Sequence, residues 1–143
     1  MLGLPIRSVI DRRKLVVAPP QTSVSEAARL MKKSKVGALL VVQAERLVGI
    51  FTERDALYRV MAENRDPRLT RVEEVMTREP KTVAPEETLG YALLLMHDHG
   101  FRHAPVVENG RPVGVVSARY ALDPELEEFR AEAERRKHIR RRA

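Results

Sequence analysis

The apolar positions of this chain run twice through one pattern. Shifted by 65 residues, Pro20 falls on Pro85, Ala27 on Ala92, Leu30 on Leu95, Met31 on Met96, Gly49 on Gly114, Arg54 on Arg119 and Leu57 on Leu122, with no gap needed over residues 20–57. Each copy opens on a short apolar run, residues 15–18 and 81–84, which predicts a strand closed by a proline. Apolar residues three and four apart follow, with Ala27, Leu30 and Met31 in one copy and Leu89, Ala92, Leu93 and Met96 in the other. That spacing predicts an amphipathic helix, and Ser23 with Glu26 has capping-box spacing at its start. Two β-branched runs then predict a hairpin in each copy, 38–43 with 47–51 and 103–108 with 112–116. Asn109-Gly110 marks the second turn, because both residues tolerate positive φ. Thr52 and Ser117 follow as N-caps of a further helix.

The expected fold is α+β (mixed α/β), two β-α-β-β-α repeats. Two copies are too few for a solenoid, whose units need about three to bury a continuous core. Two copies facing each other across a pseudo-twofold are the simpler solution. The chain divides into a lead-in helix over 1–14, a first motif over 15–60, a linker over 61–79 with a short helix at 72–76, a second motif over 80–122, and a helical basic tail over 123–143.

Composition narrows the chemistry. Aromatics are scarce, so the core is built from Val, Leu, Ile, Ala and Met, and the absence of cysteine removes disulfides and thiolate metal sites. The longest apolar run, 37–42, is far below the ~20 residues that span a bilayer. Proline and charges interrupt any leader pattern at the N-terminus, so a soluble cytoplasmic protein is expected. The net charge of +6 is carried by RRKHIRRRA at the C-terminus, and residues 1–134 balance at 20 basic and 20 acidic. The tail reads first as a solvated helix end, with nucleic acid or an anionic membrane as the alternative contact. Its Leu126, Phe129 and Ala133 suit packing on the module or on a second subunit. Glu132 and Arg136 stand at ion-pair spacing.

The paired segments GIFTERDAL (49–57) and GVVSARYAL (114–122) carry the candidate site. A helix starting at a hydroxyl cap presents free N–H groups and partial positive charge, which attract phosphate. Asp55, one turn beyond Thr52, can accept hydrogen bonds from two ribose hydroxyls. In the second copy Tyr120 stands in its place. His97 and His99 point to different faces of a helix end, so no metal site is expected. No nucleophile elbow, Gly-rich phosphate loop or acid/base pair is present, so catalysis is not expected.

VGALLVVQAERLVGIFTERDAL, HGFRHAPVVENGRPVGVVS and VEEVMTREPKTV together resemble a tandem pair of CBS domains, the regulatory modules named after cystathionine β-synthase. The resemblance covers about residues 8–122. It implies adenosyl effectors (AMP, ADP, ATP or S-adenosylmethionine) with no obligatory cofactor, a homodimer, and an unknown regulated partner protein. It also implies clefts shared between the copies. The Thr52/Asp55 cleft would add Ile50, Pro80, Lys81, Phe101, Arg102 and His103. The opposite cleft would use Leu15, Val16, Val36, Gly37, Ala38, Val115, Ser117 and Tyr120. Lacking the ribose carboxylate and having Gly37-Ala38 where the other cleft has Arg102-His103, it is expected to be empty, weak or adapted to another ligand.

Overall fold

The computed structural model describes the backbone of residues 2–121 and 123–142, with side chains to residue 119 and over 129–138. The first repeat contains β1 (Val17–Ala18), α1 (Val24–Ser34), β2 (Ala38–Gln43), β3 (Arg46–Thr52) and α2 (Glu53–Asp55), which widens into a π-helical turn over Ala56–Met61. After α3 (Val72–Val75) and β4 (Thr77–Arg78), the second repeat contains α4 (Leu89–His99), β5 (His103–Glu108), β6 (Arg111–Ser117) and a 3-10 turn over Ala118–Ala121. The helix α5 (Asp123–Arg142) follows.

The two copies match in detail. Ser23 and Thr88 cap α1 and α4 by accepting from Glu26 N–H and Tyr91 N–H. Both helices end in a left-handed residue, Lys35 and Gly100. Both hairpins bulge at the same place, between Val41 and Val42 and between Val106 and Val107. Their turns use two positive-φ residues, Asn109-Gly110 as expected and also Ala44-Glu45, where no glycine announces it. Register between flanking strands selects that turn, and two ordinary residues accept the local cost.

One expected strand is reduced. In the first copy β1 runs parallel to β2, and Leu40 N–H donates to Val16 O at 2.9 Å. The position matching Leu40 is Pro105, which has no N–H to give. The run 81–84 therefore forms only a single bridge, Val83 to Val106. The lead-in also differs from expectation: residues 6–8 and 12–14 are separate 3-10 turns rather than one helix.

Each lead segment completes the other repeat. Ile6 is fully buried with Val83, Leu89, Ala92, Met96 and Val116 of the second copy. Its N–H donates to Glu87 O, and Arg7 N–H donates to Pro85 O. Val72, from the linker helix, is buried in the first copy, donates to Thr22 O, and is followed by Glu73 N–H to Pro20 O. The matched glycines make room for these crossings. A Cβ on Gly49 would overlap Met76 Sδ, and one on Gly114 would meet Ile10 Cδ1 at 3.0 Å.

Between the two cores lies a third apolar layer of Ala38, Leu40 and Ile50, packed with Leu15, Val42, Leu47 and Val115. It joins the β2–β3 hairpin to β6. The hairpin tips meet through the Glu45–Arg111 ion pair at 2.9 Å. A cavity opens where this layer ends, beside Ser117.

Candidate functional site

β3 and β6 end at hydroxyls, and each chain then turns back on its own repeat. Glu53 N–H donates to Gly37 O at 3.0 Å, and the matching Ala118 N–H donates to Arg102 O at 2.9 Å. The start of each hairpin is thereby clamped to the turn that follows it. The surroundings of the two turns then diverge.

On the Thr52 side the polar groups are engaged within the protein. Asp55, 7% exposed, accepts from Thr52 N–H at 2.9 Å and Thr52 Oγ1–H at 3.1 Å, closing a capping box. Its other oxygen faces Arg59 at 3.6 Å. Arg54 reaches across to the second repeat and donates to Gly100 O at 3.3 Å, with its guanidinium over Tyr58. Phe101 packs on the second core and stacks on His99. Ile50 is buried in the layer between repeats. Pro80 is half-buried, while Lys81 and Arg102 are exposed.

On the Ser117 side there is a cavity of about 60 Å³, partly open to solvent, lined by Val36, Gly37, Ala38, Val115 and Ser117. Those five residues were expected there. The rest of the lining was not: Lys14, Lys35, Glu53, His103 and Arg119. His103 was expected at the Thr52 cleft, and it lines this cavity instead. Val16 belongs to the first core and Leu15 to the layer between repeats. The Tyr120 side chain lies outside the described residues.

The cations absent from positions 37 and 38 are thus supplied from three other segments: Lys14 before β1, Lys35 at the end of α1, and Arg119 after β6. No ion pair within 4.0 Å involves them among the described residues. Gly37 makes room for the Glu53 and His103 side chains. A Cβ there would stand 2.9 Å from Glu53 Oε1 and 3.1 Å from His103 Nε2. Burial holds the His103 imidazole below its ordinary pKa, with Arg119 and Arg102 adding to the effect and Glu53 opposing it. It is neutral at pH 7.

The match of Arg54 to Arg119 was legible as a mark of the repeat, but not as a difference in what each arginine touches. Lys14 and Lys35 carried no signal, since each is one surface lysine among others until the fold brings it to the mouth of the cleft.

Elsewhere, His97 and His99 are exposed, and no cluster of three or more His, Asp or Glu is placed to hold a metal among the described residues. No helix among them is long and apolar enough to cross a membrane.

Two mutually completed repeats with a cavity lined by residues of both define a paired-repeat module. The CBS domain family model matches residues 6–62 and 72–123, and the chain belongs to that family. An uncharacterized 17.7 kDa protein of Acidianus ambivalens is 38% identical over 133 residues, covering 89% of this chain and 79% of that protein. An uncharacterized conserved protein from Pyrococcus horikoshii superposes with a TM-score of 0.79 at 32% identity, over 87% of this chain and 94% of that one. A CBS domain protein from Pyrobaculum aerophilum complexed with AMP superposes with a TM-score of 0.75 at 27% identity, over 82% and 89% of the two chains. Some curated relatives are much longer. The chain spans 18% of the CBS domain-containing protein CBSCBSPB3 of Arabidopsis thaliana, at 37% identity over 100 residues.

Proposed function

We propose that this chain is a regulatory module that senses an adenosyl ligand at the junction of its repeats and passes the bound state to a partner protein. The observation that carries this is the cavity at Ser117, lined by cations from three segments. A phosphate seated there meets Lys14, Lys35 and Arg119. Val36, Ala38 and Val115 offer an apolar wall to the base. The ligand is larger than the enclosed volume and extends toward solvent. AMP is the first candidate, supported by the AMP-bound relative from Pyrobaculum aerophilum. ADP and ATP come next. S-adenosylmethionine, with its sulfonium charge, suits the cation-lined cavity least.

The Thr52 cleft is the second site. Ligand there requires Asp55 to release the Thr52 N–H and Arg54 to release Gly100 O. Binding would draw together residues of both repeats. A signal follows only if the ligand prefers one arrangement of them over another. Exposed Leu57, Tyr58, Met61 and Leu69 on one side and Tyr91 and Leu94 on another offer apolar faces for a homodimer. The role is regulatory rather than catalytic, with no obligatory cofactor or metal, in a cytoplasmic setting.

Calorimetric titration with AMP, ADP, ATP and S-adenosylmethionine tests this, run beside a Lys14→Ala/Arg119→Ala variant and Asp55→Ala. Saturable binding of AMP, lost in the double variant, is the expected result. Failure of all four ligands to bind would end the sensor reading. A second reading would then lead, a dimerisation scaffold whose α5 contacts nucleic acid, a membrane or a protein partner. It draws on Arg130, Arg135, Arg136 and Lys137, all exposed on that helix, and it requires a steep salt dependence of binding.

A further inference from the structure

Resting on the nucleotide reading of the cavity, we propose that an anionic ligand seated among Lys14, Lys35 and Arg119 binds with uptake of one proton from solvent onto the His103 imidazole, which then pairs with Glu53 across the two repeats. His103 begins β5 of the second repeat, whereas Glu53 and Gly37 belong to the first. His103 Nε2 and Glu53 Oε1 both approach the empty side of Gly37, at 3.1 and 2.9 Å from where a Cβ would stand. The two groups are therefore within about 6 Å of each other, close enough for a carboxylate to favour the charged imidazole.

Every charged group that lines the cavity enters the balance. Lys14, Lys35 and Arg119 oppose a charge on His103, as does its neighbour Arg102, and burial opposes it further. Glu53 alone favours it. In the empty cavity the opposing side wins and the imidazole stays neutral. A phosphate placed among the cations reverses this. It offsets their positive charge, adds negative charge of its own, and leaves Glu53 as the nearest unopposed partner. The imidazolium is then the favoured form. Linkage fixes the consequence: a group whose proton affinity rises on binding makes the ligand bind more tightly as pH falls. Between the free and bound midpoints of His103 the gain approaches about tenfold per pH unit.

The probe is AMP. Its phosphate titrates near pH 6 on its own account, roughly as a phosphorylated side chain does, so each measurement is paired with His103→Gln, which keeps that contribution and removes the imidazole. The histidine C–H resonances of the full chain are followed against pH with and without saturating AMP, with His103 assigned by its absence in His103→Gln. Calorimetry in two buffers of different ionisation enthalpy counts the protons taken up. The expected result is a His103 midpoint below the ordinary range without AMP and above it with AMP. Close to one proton more should be taken up by the wild type than by His103→Gln. Glu53→Gln should shrink both effects while strengthening AMP binding at pH 8, where the carboxylate only repels phosphate. AMP binding with an unmoved or lowered His103 midpoint would overturn the proposal and leave the sensor reading standing. Absence of AMP binding would overturn this proposal; failure of all four adenosyl ligands would end the sensor reading as well.

Discussion

Arg54 and Arg119 occupy the same place in the two repeats and behave oppositely. Arg54 is tied to the Gly100 carbonyl and lies over Tyr58, whereas Arg119 faces a cavity. Around each, the rest of the cleft follows suit. Asp55 turns inward to cap its own helix at the first, and the second copy has no carboxylate to do so. One scaffold thus presents one turn whose polar groups are engaged within the protein and one turn beside a cavity. Matched caps, hairpins and bulges do not make the two turns equivalent. The side chains a repeat does not share decide which groups are engaged within the protein and which face a cavity.

The largest effect is expected from filling the open cleft. Gly37→Val should lower AMP affinity by about a hundredfold or more, since each 1.4 kcal/mol is a factor of ten. The melting temperature should stay close to wild type, because the atoms a Cβ would first meet are the ends of the Glu53 and His103 side chains. Calorimetry and thermal unfolding on one preparation check this. Unchanged affinity would move the working site to the Thr52 cleft and remove the contrast.

Next in size is the crossing of lead segments under the matched glycines. Gly49→Ala would force its methyl group against Met76, which is buried. It should cost about 1–3 kcal/mol in denaturant unfolding, the usual range for overpacking. Gly114→Ala, against Ile10, should cost less. Equal costs would mean that Met76 yields more readily than its burial implies.

Breaking the closed cleft open is a gentler change. Arg54→Ala removes an exposed hydrogen bond and should cost under about 1 kcal/mol. It should also raise the number of AMP molecules bound per chain, read from calorimetric stoichiometry. Asp55→Ala should instead lower stability by about 1 kcal/mol through loss of the cap, while AMP binding in the Ser117 cavity remains.

The smallest effect is the pH response of the empty protein. His103 holds its proton less tightly folded than unfolded. Below its ordinary pKa the unfolded chain therefore binds more protons, and stability falls as pH drops from about 6.5 toward the lowered folded midpoint. Melting temperatures of the ligand-free chain over pH 5–7.5 should decline more in wild type than in His103→Gln. Parallel curves would mean that the imidazole is not desolvated.

Much of this architecture could be read from the chain. The 65-residue register, the Ser23 cap, the Asn109-Gly110 turn and the helix after Thr52 rest on local rules, and local rules are visible in sequence. The loss of a strand at 81–84 was also written there, in Pro105, but its effect falls on a partner some twenty residues away. The site was legible by half. Val36, Gly37, Ala38, Val115 and Ser117 line one cavity, in the place that the family resemblance implied. Lys14, Lys35 and Glu53 all come from the first repeat and its lead-in, and converge through the pairing of β1 with β2 and the Glu53 N–H bond to Gly37 O, contacts that no spacing encodes. His103 comes to the opposite cleft because it pairs with Ser117 across β5 and β6, which brings both to the same cavity.

The crossed lead segments bear on how the molecule is made. Ile6 leaves the ribosome about 80 residues before the Val83–Leu89 region that buries it. Residues near the start of this sequence must wait, uncovered, while the whole first repeat and the linker are synthesised. That repeat in turn lacks Val72 until the linker has emerged. Neither half has a complete interior of its own during translation. The early chain docks only when the second half arrives.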